Sequence, residues 1–314
     1  MRYYRTRMRA KSIDKVRSLS EAIRWAENEL NNAGVHCGHG TDNTRDEAAW
    51  LVAAAAGLTP MELGDRVKEA PSTQARTRLQ SLVGDRIRTR KPAAYLLKEA
   101  WFGGLSFYVD ERVIVPRSLT VEFIQERFQP WIAPVRVHRL LDLCTGSGCM
   151  AILAAHAFPA AAVDAADISA DALAVARINV ERHALTTRVR LVQSDLYAGL
   201  GDVRYDVIVT NPPYVARREL ARLPTEYGFE PVLALDAGAE GIDVILRILA
   251  DASAHLEPHG ILVAEVGNSR IALERKLSDV PFTWLTTSTG DDSVFLLTAQ
   301  TLEQHARRLH AAAR

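Results

Sequence analysis

The residues best suited to chemistry form the tetrapeptide Asn211-Pro212-Pro213-Tyr214, which follows the apolar run YDVIVT. Proline donates no backbone hydrogen bond and fixes φ, so the two prolines predict that strand pairing ends here in a stiff turn. The side-chain carbonyl of Asn211 and the carbonyl of Pro212 would supply two acceptors, and Tyr214 an aromatic face. This set matches a planar NH₂ group, which it would hold by both hydrogens while aiming the nitrogen at an electrophile. A proline pair after a strand is also common in ordinary loops.

A glycine turn upstream predicts the other half of a reaction site. The run DLCTGSGCMA ends a strand and places Gly146 and Gly148 in a turn that a ligand can approach closely. Asp167 ends the next strand, where a carboxylate can accept hydrogen bonds from ribose hydroxyls. Asp142 favours S-adenosyl-L-methionine over NAD, because it would repel a pyrophosphate and attract the cationic methionine portion. Asp195, which ends a third strand, is predicted to accept from the adenine amino group, with a helix cap as the alternative.

These residues fall at the ends of strands in an alternating pattern of strands and helices over residues 119–300. Apolar strands are predicted at 138–144, 161–167, 188–195, 205–211, 260–266 and 293–299, and helical patterns such as 170–183 and 243–256 separate most of them. This alternation predicts an α/β fold with a mostly parallel sheet and helices on both faces. Ligands in such sheets bind at the carboxyl ends of the strands.

The rest of the chain divides into shorter segments. Helical spacing of apolar residues predicts a small helical domain over 17–97, in which Thr44 would cap a helix and Glu47 would complete a capping box. Gly103-Gly104, flanked by aromatic and β-branched residues, predicts a β-hairpin linker over 98–118. Residues 1–16 are set apart as a basic arm and residues 301–314 as a C-terminal tail.

Composition limits the classes of protein that this chain can be. The 314 residues are 48% apolar, enough for a substantial core and two domains. Basic and acidic residues balance at 38 each, so no global field attracts nucleic acid. No apolar run is long enough to span a membrane. The three cysteines form no CxxC pair, which indicates a reducing cytoplasm without disulfides. The cluster of His36, Cys37 and His39 has too few ligands for zinc, so no metal is expected.

Beyond these patterns, the sequence resembles the HemK-type class of adenosylmethionine-dependent glutamine methyltransferases. The resemblance covers nearly the whole chain from residue 17 and rests on VPRS (115–118), DLCTGSG (142–148), the acid Asp167 and NPPY (211–214). It implies a Rossmann-like class I adenosylmethionine-dependent methyltransferase sheet with a small N-terminal helical domain, and methyl transfer to the N5 nitrogen of a glutamine. Carried over by position and joined to the acids above, the expected cofactor-binding residues are Asp142, Cys144, Gly146, Gly148, Asp167, Asp195 and Asn211. The expected substrate clamp is Asn211, Pro212, Pro213 and Tyr214.

Within that class, the sequence is most similar to the branch that acts on ribosomal protein L three of the large subunit. The segments that carry this similarity are GHGTDNTRDEA (38–48), EAWFGGLSFYVDERVIVPRS (99–118), LPTEYGFEP (223–231) and AEVGNS (264–269). It implies a large-subunit protein as the partner in the cytoplasm, and leaves open an incidental contact with ribosomal RNA. Leu119 and Gly228-Phe229 depart from the pattern of the branch. The alternatives are a release-factor glutamine methyltransferase, a nucleic-acid amino methyltransferase whose flipped adenine or cytosine offers the same NH₂ group, and a non-catalytic assembly factor.

Overall fold

The computed structural model describes residues 13–314, which form two compact units. The first unit contains residues 13–98 together with the segment Pro224–Phe229. The second contains Glu99–Leu223 and Glu230–Arg314. The predicted basic arm lies mostly outside the described residues.

The first unit is helical. Its α-helices are α1 (Leu19–Ala33), α2 (Thr44–Ala56), α3 (Pro60–Arg66), α4 (Thr73–Thr89) and α5 (Ala93–Leu97). The predicted cap of α2 is wrong by one residue, because Asn43 is extended and its side chain accepts from the backbone N–H of Asp46 at 2.9 Å. Thr44 is therefore the first helical residue, and Glu47 points into the unit instead of back to the cap.

A buried ion network explains why Glu47 turns inward. The guanidinium of Arg86 on α4 is completely buried and donates to Glu47 Oε1 at 2.8 Å. It also lies 3.4 Å from Glu226, whose carboxylate accepts from the backbone N–H of His36 at 3.0 Å. Buried charges persist only when they are paired, so this network ties Pro224–Phe229 to the helices of its own unit.

The second unit begins with a hairpin and continues as alternating strands and helices. Strands β1 (Ala100–Phe102) and β2 (Leu105–Phe107) pair antiparallel around Gly103-Gly104, which confirms the predicted hairpin. The elements that follow are α6 (Thr120–Gln125), β3 (Arg139–Leu143), α7 (Cys149–Ala157), β4 (Ala162–Asp167), α8 (Ala170–Arg182), β5 (Val189–Gln193), β6 (Tyr205–Thr210), α9 (Arg217–Leu220), α10 (Asp243–Asp251), β7 (Leu256–Glu265), α11 (Arg270–Lys276), β8 (Thr283–Leu285), β9 (Val294–Thr298), α12 (Ala299–Gln304) and α13 (Ala306–Ala312).

Strands β3 to β9 form one sheet in the order β5-β4-β3-β6-β7-β9-β8. Strands β3 to β7 are parallel and β9 is antiparallel, which confirms the predicted mostly parallel sheet. The six predicted strands are all present, and β8 was missed. The sheet is buried on both faces, since Leu140 packs in a core with α7, whereas Leu141 packs in a second core with α10.

The register of the sheet brings three strand ends to one point. Leu143 at the end of β3 pairs with Ala166 on β4 and with Thr210 on β6. The strand order reverses here, since the chain adds β4 and β5 on one side of β3 and β6 and β7 on the other, the place where α/β sheets bind ligands. Residues 144, 167 and 211, which follow the paired residues directly, therefore lie together.

The last residues of the chain are ordered helices. Most of the segment set apart as a tail, 301–314, lies in α12 and α13, where the side chains of Leu302 and Leu309 are buried in the core next to α10. Over residues 13–314, none of the helices combines the length and the apolar character that crossing a membrane would require.

Candidate active site

A cavity in the second unit opens where β3, β4, β5 and β6 end. Of the residues predicted to act, those that line it are Cys144, Gly146, Asp167, Asp195, Asn211 and Pro213. Within the described part of the chain, Asp142, Gly148, Pro212 and Tyr214 lie outside this lining. The structure therefore brings the predicted cofactor loop and the start of the NPPY segment to one cavity, with the other predicted residues beside it.

The turn after β3 uses the left-handed backbone region repeatedly. Cys144, Gly146 and Gly148 have φ values of 59°, 56° and 80°. A side chain at Gly148 would also place its Cβ 3.2 Å from the Cβ of Ala176 on α8, so glycine lets the turn pack against that helix. The turn is tied to β4, because the backbone N–H of Thr145 donates to the carbonyl of Ala166 at 3.0 Å.

Asp167 connects the turn after β3 with the turn after β4 at the cavity. Its Oδ2 accepts from the backbone N–H of Gly146 and its Oδ1 from that of Ser169, both at 2.9 Å. Burial raises the pKa of the carboxyl, and these backbone hydrogen bonds oppose the shift. Each carboxylate oxygen has a second lone-pair direction with which it can accept a ligand hydroxyl.

Asp142 lies behind the glycine turn. Its side chain is fully buried, and Oδ2 accepts from the Thr145 hydroxyl at 2.6 Å and from the backbone N–H of Ala151 at 3.0 Å. Over residues 13–314 its Oδ1 has no hydrogen-bond partner. Burial raises the pKa of Asp142 to about 7, because the charged form loses its hydration. This carboxyl therefore fixes the turn and the first turn of α7.

Asp195 lies at the cavity edge next to a cation. Its carboxylate is 2.9 Å from the Arg247 guanidinium, and about half of each side chain is exposed. The helix cap considered as an alternative role has no helix to cap, because turns follow β5 and the next element is β6. Asp195 and Arg247 both line the cavity.

Asn211 holds an unused acceptor. Its side-chain Oδ1 is buried and has no hydrogen-bond partner among the described residues. Buried polar atoms are nearly always hydrogen-bonded in folded proteins, so an orphan at a cavity indicates a place for a ligand donor. The neighbouring ring of Pro212 is buried and Pro213 lines the cavity, so the backbone that carries Asn211 is held stiffly.

Tyr214 is held from several sides. Its hydroxyl lies 3.4 Å from Glu265 Oε1, and its carbonyl accepts from the Ser269 hydroxyl at 2.7 Å. The ring rests against the backbone of Gly267, where an added Cβ would lie 2.6 Å from the ring. No role was predicted for Glu265, although it is an acid at the end of an apolar strand, the same signal that marked Asp142 and Asp167.

The VPRS segment connects two buried acids. The Ser118 hydroxyl and the backbone N–H of Leu119 donate to Glu265 Oε2 at 2.7 Å and 2.8 Å. The Arg117 guanidinium donates to Glu230 Oε2 at 2.7 Å. Glu230 precedes Pro231, which lines the cavity, so one short segment supports the walls that carry Tyr214 and Pro231. These contacts join residues more than 100 positions apart, which no local pattern reveals.

Two family models match parts of this chain. Residues 124–225 match the family model of the methyltransferase small domain, and residues 21–97 match that of the PrmC N-terminal domain. A solved structure of the hMettl16 catalytic domain in complex with the MAT2A 3'UTR hairpin 6 is similar over 72% of this chain and 81% of its own, at 17% identity and a TM-score of 0.49. The sheet, the glycine turn and the matched family model together define a methyltransferase of the Rossmann-like class I type.

Two curated relatives are much more similar. The ribosomal protein uL3 glutamine methyltransferase of Neisseria meningitidis serogroup A is 46% identical over 91% of this chain and 94% of its own. The protein of the same name from Bordetella pertussis is 46% identical over 92% of this chain and 97% of its own. The chain belongs to the family of HemK-type glutamine methyltransferases that includes these uL3 enzymes.

Proposed function

We propose that this protein transfers the methyl group of S-adenosyl-L-methionine to the N5 side-chain amide nitrogen of a glutamine in ribosomal protein uL3. The observation that carries the proposal is the buried Oδ1 of Asn211, which has no hydrogen-bond partner within residues 13–314 and lies at the cavity lined by Gly146 and Asp167. The relatives at 46% identity, named for uL3 glutamine methylation, support the substrate. The cytoplasm is the proposed place of action.

The residues around the cavity fit the proposed donor. Asp167 would accept from the ribose hydroxyls with its remaining lone pairs, and Asp195 from the adenine amino group. The turn at Gly146 would let the backbone approach the donor, and Asp142 would attract its cationic portion from behind the turn. When bound, this donor supplies a methyl group already activated on a sulfonium.

The NPPY segment would provide the positioning that an amide nucleophile needs. The amide nitrogen is a weak nucleophile because its lone pair is delocalised, so its orientation toward the methyl group decides the rate. Asn211 Oδ1 would accept one N–H and the Pro212 carbonyl the other, while the Tyr214 ring lies against the amide plane. Both oxygens would also stabilise the positive charge that develops on the nitrogen, and the proton can leave after transfer, so no general base is required.

The helical unit is the proposed recognition domain. Within the described chain the residues that line the cavity come from the second unit, and the matched PrmC N-terminal domain occupies 21–97. We propose that residues 17–97 select the ribosomal protein, with 98–118 as the linker and 119–300 as the catalytic domain.

Transfer of labelled methyl groups tests the proposal. Purified uL3, a purified release factor, DNA and RNA are each incubated with the protein and methyl-labelled S-adenosyl-L-methionine. We expect label only on uL3, one methyl per molecule by intact mass, at a glutamine located by fragmentation. Label on nucleic acid with none on uL3 would exclude this function, and label on the release factor alone would move the protein to the other branch.

A further inference from the structure

The buried carboxylate of Glu265 has a place in the fold that the proposed mechanism does not yet use. Glu265 ends β7, and the register pairs Thr210 on β6 with Ala264 on β7. The next residue on each strand is Asn211 on one side and Glu265 on the other. An acid that is only 4% exposed thus lies beside the amide-binding asparagine.

The two oxygens of Glu265 have different partners. Oε2 accepts from the Ser118 hydroxyl at 2.7 Å and from the Leu119 backbone N–H at 2.8 Å. Oε1 is left for the Tyr214 hydroxyl, 3.4 Å away. Burying a carboxylate is unfavourable unless donors surround it. Ser118 and Leu119 therefore hold the carboxylate in place and thereby set the position of this acceptor for the tyrosine hydroxyl.

Other contacts restrict the same tyrosine at different points. The Ser269 hydroxyl holds its backbone carbonyl at 2.7 Å. The backbone of Gly267 supports the ring so closely that an added Cβ would lie 2.6 Å from it. The backbone and the ring are thus contacted by other groups, and Glu265 contacts the hydroxyl end.

We propose that Glu265 is a positioning residue for the methyl-transfer reaction, acting through the Tyr214 hydroxyl to set the plane of the ring against the substrate amide. This inference rests on the proposed function of the NPPY segment. The 3.4 Å separation is longer than the usual O–H···O distance of about 2.7 Å, and hydrogen bonds of this kind tighten when the substrate is bound. We expect the contact to shorten in the glutamine complex.

A double-mutant cycle tests the coupling. Glu265→Gln keeps the shape of the side chain and should lower kcat about three- to tenfold, the value of one hydrogen bond, with KM for the donor unchanged. Tyr214→Phe should do the same. In the Tyr214→Phe background, Glu265→Gln should lower kcat less than about twofold, since its target is already gone. If the double variant lowers kcat by the product of the two single effects, the two residues act independently and the inference is overturned.

Glu230→Gln is the matched control for the cycle. Glu230 is also buried at 4% exposure and bonded to the VPRS segment, but its carboxylate accepts from Arg117 and the Val115 N–H. Its effect on kcat should therefore multiply with that of Tyr214→Phe. If Glu230→Gln lowers kcat in the parent but not in the Tyr214→Phe background, the cycle detects a general disturbance of the fold around the site. That result would refute the specific role of Glu265.

A second measurement needs no substrate. The protein is prepared with isotope-labelled tyrosine and its NMR spectrum is recorded. The chain has eight tyrosines, and the ring signal of Tyr214 is identified as the one that disappears in Tyr214→Phe. Glu265→Gln should move that signal and leave the signal of Tyr205, which donates to Asp164 at 2.7 Å, in place. Glu265→Asp serves if the glutamine variant does not fold. An unmoved Tyr214 signal overturns the inference; failure of uL3 to accept label counts only against the proposed function.

Discussion

Replacement of Asp142 by asparagine should stabilise the protein at alkaline pH, because this carboxylate is completely buried. Asparagine keeps an oxygen for the Thr145 hydroxyl and the Ala151 N–H. It places its NH₂ group at the position of Oδ1, which accepts no hydrogen bond from the part of the chain that the structure describes. The substitution therefore removes a buried charge and retains the hydrogen bonds that shape the glycine turn.

The magnitude follows from the pKa of the carboxyl. Burial raises it from 3.8 to about 7. The folded protein therefore binds more protons than the unfolded chain between these values, and the free energy of unfolding falls as pH rises through them. At about 1.36 kcal/mol per pKa unit, the charged form costs about 4 kcal/mol well above pH 7. The free energy of unfolding of Asp142→Asn should therefore rise relative to that of the parent by about 3 kcal/mol between about pH 5 and about pH 9.

Urea unfolding at a series of pH values measures this difference. Asp110→Asn is the control of opposite sign, because Arg112 holds the pKa of Asp110 at about 2. That carboxylate contributes stability above pH 3.8, which is lost as pH falls toward 2, so its replacement should destabilise the protein throughout the measured range. If the difference in the free energy of unfolding between Asp142→Asn and the parent does not change with pH, the assignment of a buried charge is refuted.

Asn211→Ala should lower turnover by about 10²-fold or more, because one preorganised acceptor is lost; single-turnover labelling checks this, and parental turnover would mean that the amide binds elsewhere. Asp167→Ala should weaken donor binding by about 1.5–3 kcal/mol, one charged hydrogen bond, measured by calorimetric titration; unchanged affinity would contradict its ribose contact. Arg86→Met should destabilise the helical unit by about 3–5 kcal/mol by leaving Glu47 buried and unpaired, whereas Arg88→Met, at an exposed pair, should change unfolding by less than about 1 kcal/mol; equal effects in urea unfolding would contradict the difference in burial.

The sheet could be predicted because its strands are covered by helices on both faces. Such strands read as continuous apolar runs, and all those predicted from that signal are present. Strand β8 was missed because its three residues, Thr283–Leu285, at the sheet edge leave too short a pattern. The cap of α2 was misplaced because Asn43 and Thr44 are both good capping residues, and only the extended backbone of Asn43 decides between them.

The site could be predicted only where its residues follow strands. Parallel register brings residues 144, 167 and 211 together, so their positions in the sequence suffice. The direction of a side chain at a strand end is decided by packing, which is why Asp142 could be identified while its burial behind the turn could not. The pairing of Glu265 with Ser118 spans 147 positions and depends on the folded sheet.

The hexapeptide Pro224–Phe229 has a consequence for exchanging parts between relatives. It belongs to the helical unit, yet in the sequence it lies between two parts of the second unit. In a chimera that replaces only residues up to 98, Glu226 would lose the Arg86 of its own chain. Its carboxylate would then be buried against a helical unit from another protein. Exchange of the helical unit between relatives therefore requires both of its pieces to be replaced together.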